Sequence, residues 1–185
     1  MFVPSLLQAF SNIRGVLTAD VSIWLLLTPL VVLWVATEFY YGEYKREQFG
    51  FSSALTSGMS LVWVSLVAVR VLFLFDREGG IFALFETWIL LAFVLYGLFI
   101  VYASFTHIVT LRAMGKVAAP SLLYFLSIVA VILGEGTLAL NYYILLAFSI
   151  VFIVLVAFFF IIKRYFLGLR GDIERVKEAG SKPKM

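Results

Sequence analysis

The sequence predicts an all-α integral membrane protein, a five-span transmembrane helix bundle with an N-terminal interfacial amphipathic helix. Its 185 residues are 63% hydrophobic and only 14% charged, with a mean hydropathy of +1.06, whereas soluble domains have roughly 25% charged residues. Five apolar runs each approach the ~20 residues that cross a hydrocarbon core about 30 Å thick. Basic residues also concentrate in alternate loops. Lipid is therefore predicted to solvate most of the side chains.

Residues 1–20 form the predicted amphipathic helix. Pro4 suits a first helical turn. Apolar and polar residues alternate with helical period, whereas a secretory signal has an unbroken apolar core. The pattern predicts a helix lying in the membrane interface. Its predicted apolar face carries Phe2, Val3, Leu6, Leu7, Phe10, Ile13 and Leu17.

Residues 21–166 form the predicted transmembrane domain. Span four is the shortest, with Pro120 placed to start it and Gly134-Glu135-Gly136 to stop it. Such a helix either crosses the membrane at the lower length limit or re-enters on the same side. We favour crossing, on the charge distribution described next. The predicted spans are about 21–41, 54–75, 81–110, 118–133 and 142–162.

Loop charge predicts the orientation, because Lys and Arg accumulate on the cytoplasmic side. Five crossings leave Arg14 and Arg77 on one side and eleven basic residues on the other, whereas a re-entrant span four would give nine against four. The sequence therefore predicts a cell-membrane protein with its N-terminus outside and residues 167–185 as a charged cytoplasmic tail. The eleven are Lys45, Arg46, Arg112, Lys116, Lys163, Arg164, Arg170, Arg175, Lys177, Lys182 and Lys184.

Several function classes are disfavoured by composition. The absence of cysteine excludes disulfides and thiolate sites, and a single histidine disfavours a histidine-built metal or haem site. Phosphate loops and nucleophile elbows are absent, and the basic tail is interleaved with acids, unlike a nucleic-acid footprint. We predict no cofactor, no metal, no catalytic residue and no nucleic-acid partner. A lipid-acting enzyme, the weakest class, would depend on Glu38, Glu43, Tyr44 and His107.

Four ionisable residues within or near the ends of the spans are candidates for function, because charge inside lipid is costly. Arg70 and Glu86 each lie six residues from the turn that joins spans two and three, about 9 Å deep at 1.5 Å per residue. They are predicted either to form an ion pair along a solute path, or to serve as a structural bridge or snorkelling arginine. Glu38 and His107 suggest a second polar layer for proton movement, or two hydrated interfacial side chains.

Span two carries small residues that permit close approach of another helix. They also favour span two over span five as an interior helix. These residues are Ala54, Ser57, Gly58, Ser65 and Ala68.

The sparse intramembrane polarity favours a non-catalytic subunit or scaffold of a larger membrane assembly. The expected partners are the lipid bilayer and other membrane subunits. The alternative is a small homo-oligomeric transporter or channel that uses Arg70 and Glu86 near one surface and Glu38 and His107 near the other.

Overall fold

The computed structural model of the chain describes residues 2–19, 21–43, 50–75, 85–138 and 140–180. Over these residues the fold is all-α, with seven helices and no β-strand. Five helical segments are long and apolar enough to cross a membrane, which confirms the predicted five-span architecture. The helices are α1 Phe2–Ala19, α2 Ser22–Glu43, α3 Phe51–Phe75, α4 Phe85–Thr106, α5 Leu111–Val117, α6 Pro120–Gly134 and α7 Tyr142–Gly180.

The spanning helices alternate in direction along the chain. Gly58 of α3 lies against Ile100 of α4, and Val62, one turn later, lies against Gly97, one turn earlier, so these two helices are antiparallel. Ser121 at the start of α6 contacts Glu38 near the end of α2, and Gly134 at the end of α6 lies against Ala68 of α3. We call the end that holds the C-termini of α3 and α6 the loop-135 end, and the opposite end the loop-107 end. Helix α6 runs from one to the other, which favours a crossing over a re-entrant hairpin.

Helix α6 is the centre of the bundle. Of the five apolar segments, Ala113–Gly134, which includes all of α6 and most of α5, is 61% buried, against 39% for that of α3 and 22% for that of α7. Helix α6 packs chiefly on α3 and α2, with further contacts to α4, α1 and α7. Helix α6 alone has 15 residues, but the apolar segment long enough to cross runs from Ala113 to Gly134, 22 residues that include most of α5. Span two is more interior than span five, as expected, but span four is the most interior of all.

The segment between α4 and α6 departs from the predicted boundaries. Span three was expected to continue to residue 110, but α4 ends at Thr106, because His107 has a positive φ of 53° that breaks the helix. Thr110 then caps a short helix, α5, its side chain accepting from the Ala113 amide at 3.4 Å. The sequence reading missed α5, which buries Met114 against the bundle. Residues 81–84 of the predicted span lie outside the described residues.

The first and last helices pack together. Helix α1 lies against α7 and buries Ala9, Ile13 and Val16, whereas Leu7, predicted on its apolar face, is 65% exposed. Its position in the membrane interface stays a prediction. Helix α7 continues past its apolar segment Tyr142–Ile162 to Gly180, so the first part of the predicted tail is helical. Residues 181–185 of that tail lie outside the described residues.

Candidate functional site

A buried carboxylate joins α2 to α6 near the loop-107 end. The Glu38 side chain is only 6% exposed. Its Oε1 atom accepts hydrogen bonds from the Ser121 hydroxyl and from the Trp34 indole nitrogen, the latter at 3.4 Å. Buried charged groups are costly unless they are hydrogen-bonded. The bundle therefore supplies Glu38 with donors from two helices.

The local sequence explains this arrangement. Trp34 precedes Glu38 by one helical turn on α2, so both side chains lie on the same face. Ser121 follows Pro120 in the first turn of α6, and the N-cap residue Ala119 makes no side-chain cap. A helix N-terminus leaves amides unpaired and carries partial positive charge, which favours a nearby carboxylate. Glu38 thus stands beside a helix end that lacks a cap of its own.

Aromatic rings enclose the Glu38 cluster. The Trp34 ring lies 5.3 Å from that of Phe159 in α7 and 6.4 Å from that of Phe125 in α6, centroid to centroid. The Phe125 ring lies 4.9 Å from that of Phe152. These rings link α2, α6 and α7 beside the buried carboxylate. The arrangement suits a rigid helix junction more than a hydrated ion path.

The second carboxylate joins α4 to the segment before α7, at the loop-135 end. Glu86 Oε1 accepts the backbone amide of Leu140 at 2.8 Å. The adjacent Asn141 caps α7, its side-chain oxygen accepting the Ile144 amide at 2.9 Å. Arg70 is exposed on α3, and among the described residues no ion pair joins it to Glu86. The proposed Arg70–Glu86 pair is therefore not found there.

Glu38 and His107 lie in different environments. Glu38 is buried between two helices, whereas His107 is exposed in the loop after α4. The His107 ring lies 4.2 Å from the Phe51 ring, and its Nδ1 atom lies 3.1 Å from the carbonyl oxygen of Phe105. These contacts fix the start of α3 against the end of α4. They give no support to a shared proton-carrying layer.

The small residues predicted on α3 are buried, and two of them, Gly58 and Ala68, lie directly against other helices of the same chain. A Cβ atom built on Gly97 of α4 would come within 2.9 Å of the Gly58 carbonyl oxygen and 2.7 Å of Val62 Cγ2. A Cβ on Gly134 of α6 would lie 2.8 Å from Ala68 Cβ. Close backbone approach thus holds α3 against α4 and α6. The predicted set is buried throughout: Ala54, Ser57, Gly58, Ser65 and Ala68.

Along α6, the stretch between the two carboxylates is largely apolar. From Leu122 to Leu133, α6 carries only Tyr124 and Ser127 as polar residues, and the Ser127 hydroxyl donates to the Leu123 carbonyl of its own helix at 2.9 Å. Within the described part of the chain, no group of three His, Asp or Glu side chains is placed to hold a metal ion. The polar groups at the two ends are thus separated by a stretch of hydrophobic packing.

Comparison with protein family models, with curated proteins and with solved structures finds no match to this chain.

Three residues of these junctions were missed by the sequence reading. Trp34 was detectable, because its spacing from Glu38 places the two on one helix face. Ser121 was detectable too, because it lies in the first turn of a predicted helix, where a carboxylate is favoured. The Tyr96 hydroxyl donates to the Val117 carbonyl at 2.6 Å, which satisfies a carbonyl at the end of α5. Nothing in the sequence pairs Tyr96 with Val117, because α5 itself was not foreseen.

Proposed function

We propose that this protein is a non-catalytic component of a membrane assembly, a subunit or scaffold that presents a rigid helix bundle to other membrane proteins. The observation that carries this proposal is the use of both intramembrane carboxylates in helix junctions. Glu38 joins α2 to α6, and Glu86 joins α4 to the segment before α7. Transporters instead direct such groups toward a cavity or water-filled path.

The length of α7 supports a docking role. The helix continues from Ile162 to Gly180 beyond its apolar segment, a projection of about 27 Å at 1.5 Å per residue. The sequence of this extension is rich in both basic and acidic residues. We propose that it lies in the cytoplasm, as the excess of basic residues on its side predicts, and that it contacts a partner there.

The test is purification of the full chain from its native membranes in mild detergent. We expect defined partner proteins in a fixed ratio. The double variant Arg175→Gln, Lys177→Gln in the α7 extension is expected to lower partner recovery severalfold. The matched variant Lys182→Gln, Lys184→Gln removes the same charge from the chain after Gly180 and should leave recovery unchanged. The proposal fails if the purified chain alone moves an ion or solute across liposomes and Glu38→Gln stops that movement.

A homo-oligomeric transporter or channel is the second candidate, and the exposure of Arg70 favours it. A charged side chain on the outer face of a spanning helix is suited to a path between copies. This candidate requires an oligomer in mild detergent and a flux that Arg70→Gln abolishes. A monomer without flux would exclude it.

A further inference from the structure

A groove between α2 and α3 opens on the outer surface of the bundle in the loop-135 half. Both helices pack on α6, whose Val131 and Gly134 contribute to its lining. The groove has a volume of about 180 Å³. Its walls are apolar except at Glu135, and the residues from the two wall helices are Leu26, Pro29, Leu30, Trp63, Val64, Val67, Ala68 and Val71.

The groove runs along the helices. On α3 it extends from Trp63 to Val71, about 12 Å at 1.5 Å per residue. Trp63 is 70% exposed at its deeper end, so the groove communicates with the surface that faces lipid. A hydrocarbon chain lying parallel to the helices would meet apolar side chains over this length.

Arg70 does not line the groove itself, but its place on α3 is next to that of Trp63, at the edge of the lining and nearer the loop-135 end. At about 100° per residue its position on α3 is only about 20° from that of Trp63. It is exposed, and it precedes Leu74, the end of the apolar segment, by four residues, or about 6 Å. A guanidinium at this depth can reach the headgroup layer. Its planar fork matches phosphate oxygens.

We propose that this groove is a phospholipid site, with one acyl chain between α2 and α3 and the lipid phosphate bound by Arg70. The apolar lining lies deeper in the membrane, and Arg70 lies nearer its surface. The acyl chain and the phosphate of a phospholipid have the same order. The site is independent of the proposed assembly role.

The test is native mass spectrometry of the full chain in detergent, titrated with phosphatidylethanolamine and with a diacylglycerol of the same acyl chains. We expect one bound phosphatidylethanolamine, with at least tenfold weaker binding of the diacylglycerol. Arg70→Gln should weaken the binding of phosphatidylethanolamine about tenfold, which corresponds to 1.4 kcal/mol, and leave the binding of the diacylglycerol unchanged. Arg164→Gln, which alters an exposed arginine of α7 far along the chain from the groove, should change neither.

A second pair of variants tests the acyl-chain part of the site. Val67→Phe fills the groove and should weaken the binding of both lipids alike. Leu66→Phe, at a neighbouring position outside the lining, should weaken the binding of neither. Equal unfolding temperatures would show that each variant is folded. The proposal is overturned if Arg70→Gln binds phosphatidylethanolamine as the wild type does, or if both lipids bind equally. It is also overturned if Arg70→Gln releases a co-purified membrane protein and retains the lipid.

Discussion

At the scale of single residues, the buried carboxylate of Glu38 illustrates how an ionisable group is accommodated inside a membrane bundle. Its Oε1 atom meets a hydroxyl from α6 and an indole nitrogen from its own helix. Removal of one partner from a buried hydrogen bond leaves the other unsatisfied, whereas removal of both is much less harmful. This asymmetry makes the coupling between Glu38 and Ser121 measurable.

We expect Glu38→Leu to destabilise the bundle by about 1–3 kcal/mol, because it leaves the Ser121 hydroxyl and the Trp34 indole without their acceptor. Glu38→Gln keeps an acceptor oxygen and should cost less. Ser121→Ala should destabilise the wild type but be nearly neutral in the Glu38→Leu background, since both partners are then gone. Thermal unfolding in detergent measures all four variants. Additive effects of Glu38→Leu and Ser121→Ala would contradict a coupled junction.

Single residues also show what sequence alone can supply. The depth of Arg70 and Glu86 follows from counting residues, but depth leaves the rotation of each helix undetermined. Arg70 lies on the exposed face of α3, whereas Glu86 binds the Leu140 amide. Glu38 likewise could be placed near a helix end, but its partner Ser121 is 83 residues away. Only the packing of α2 on α6 brings the two together.

At the scale of elements, the close approach of α3 and α4 depends on glycine. An added Cβ at Gly97 meets backbone and a branched side chain at less than 3 Å, whereas one at Gly115 in α5 meets nothing within 4 Å. The same substitution should therefore have opposite effects at these two positions. Steric crowding dominates at Gly97, and backbone entropy dominates at Gly115.

We expect Gly97→Ala to destabilise the protein by about 1–3 kcal/mol, because α3 and α4 must separate to admit the methyl group. Gly115→Ala should stabilise α5 by about 0.5–1 kcal/mol. Thermal unfolding of both variants in the same detergent checks the pair. If Gly97→Ala unfolds at the wild-type temperature, the two helices are not held by direct backbone contact.

The sequence predicts those helices that are long apolar runs, but not those that depend on packing against other helices. Spans one, two, three and five were evident as long apolar runs. Helix α5 has only seven residues and no long apolar run, so hydropathy did not reveal it. Helix α6 alone is shorter than the about 20 residues that a spanning helix needs. The structure adds most of α5 to it, which gives an apolar segment of 22 residues, Ala113–Gly134.

At the scale of the whole molecule, charge and fold lead to the same arrangement. Five apolar helical segments place the start of α2 and the end of the α7 apolar segment at opposite ends of the bundle. The basic residues then divide eleven to two between the two sides, with Arg70 within a span. Membrane insertion keeps Lys and Arg in the cytoplasm. The loop-107 end should therefore face the cytoplasm and the loop-135 end the outside.

The lack of native cysteine makes this orientation directly measurable. Thr137 and Lys116 are exposed on either side of α6, so single variants Thr137→Cys and Lys116→Cys report the two ends of the helix whose crossing was most in question. In intact cells, a membrane-impermeant maleimide should label Thr137→Cys, and Lys116→Cys only after permeabilisation. Lys116→Cys leaves ten basic residues on the predicted cytoplasmic side against two on the other side. It should therefore not invert the orientation of the protein. Labelling of both in intact cells would mean that α6 does not cross, and labelling of Lys116→Cys alone would mean that the bundle is inverted.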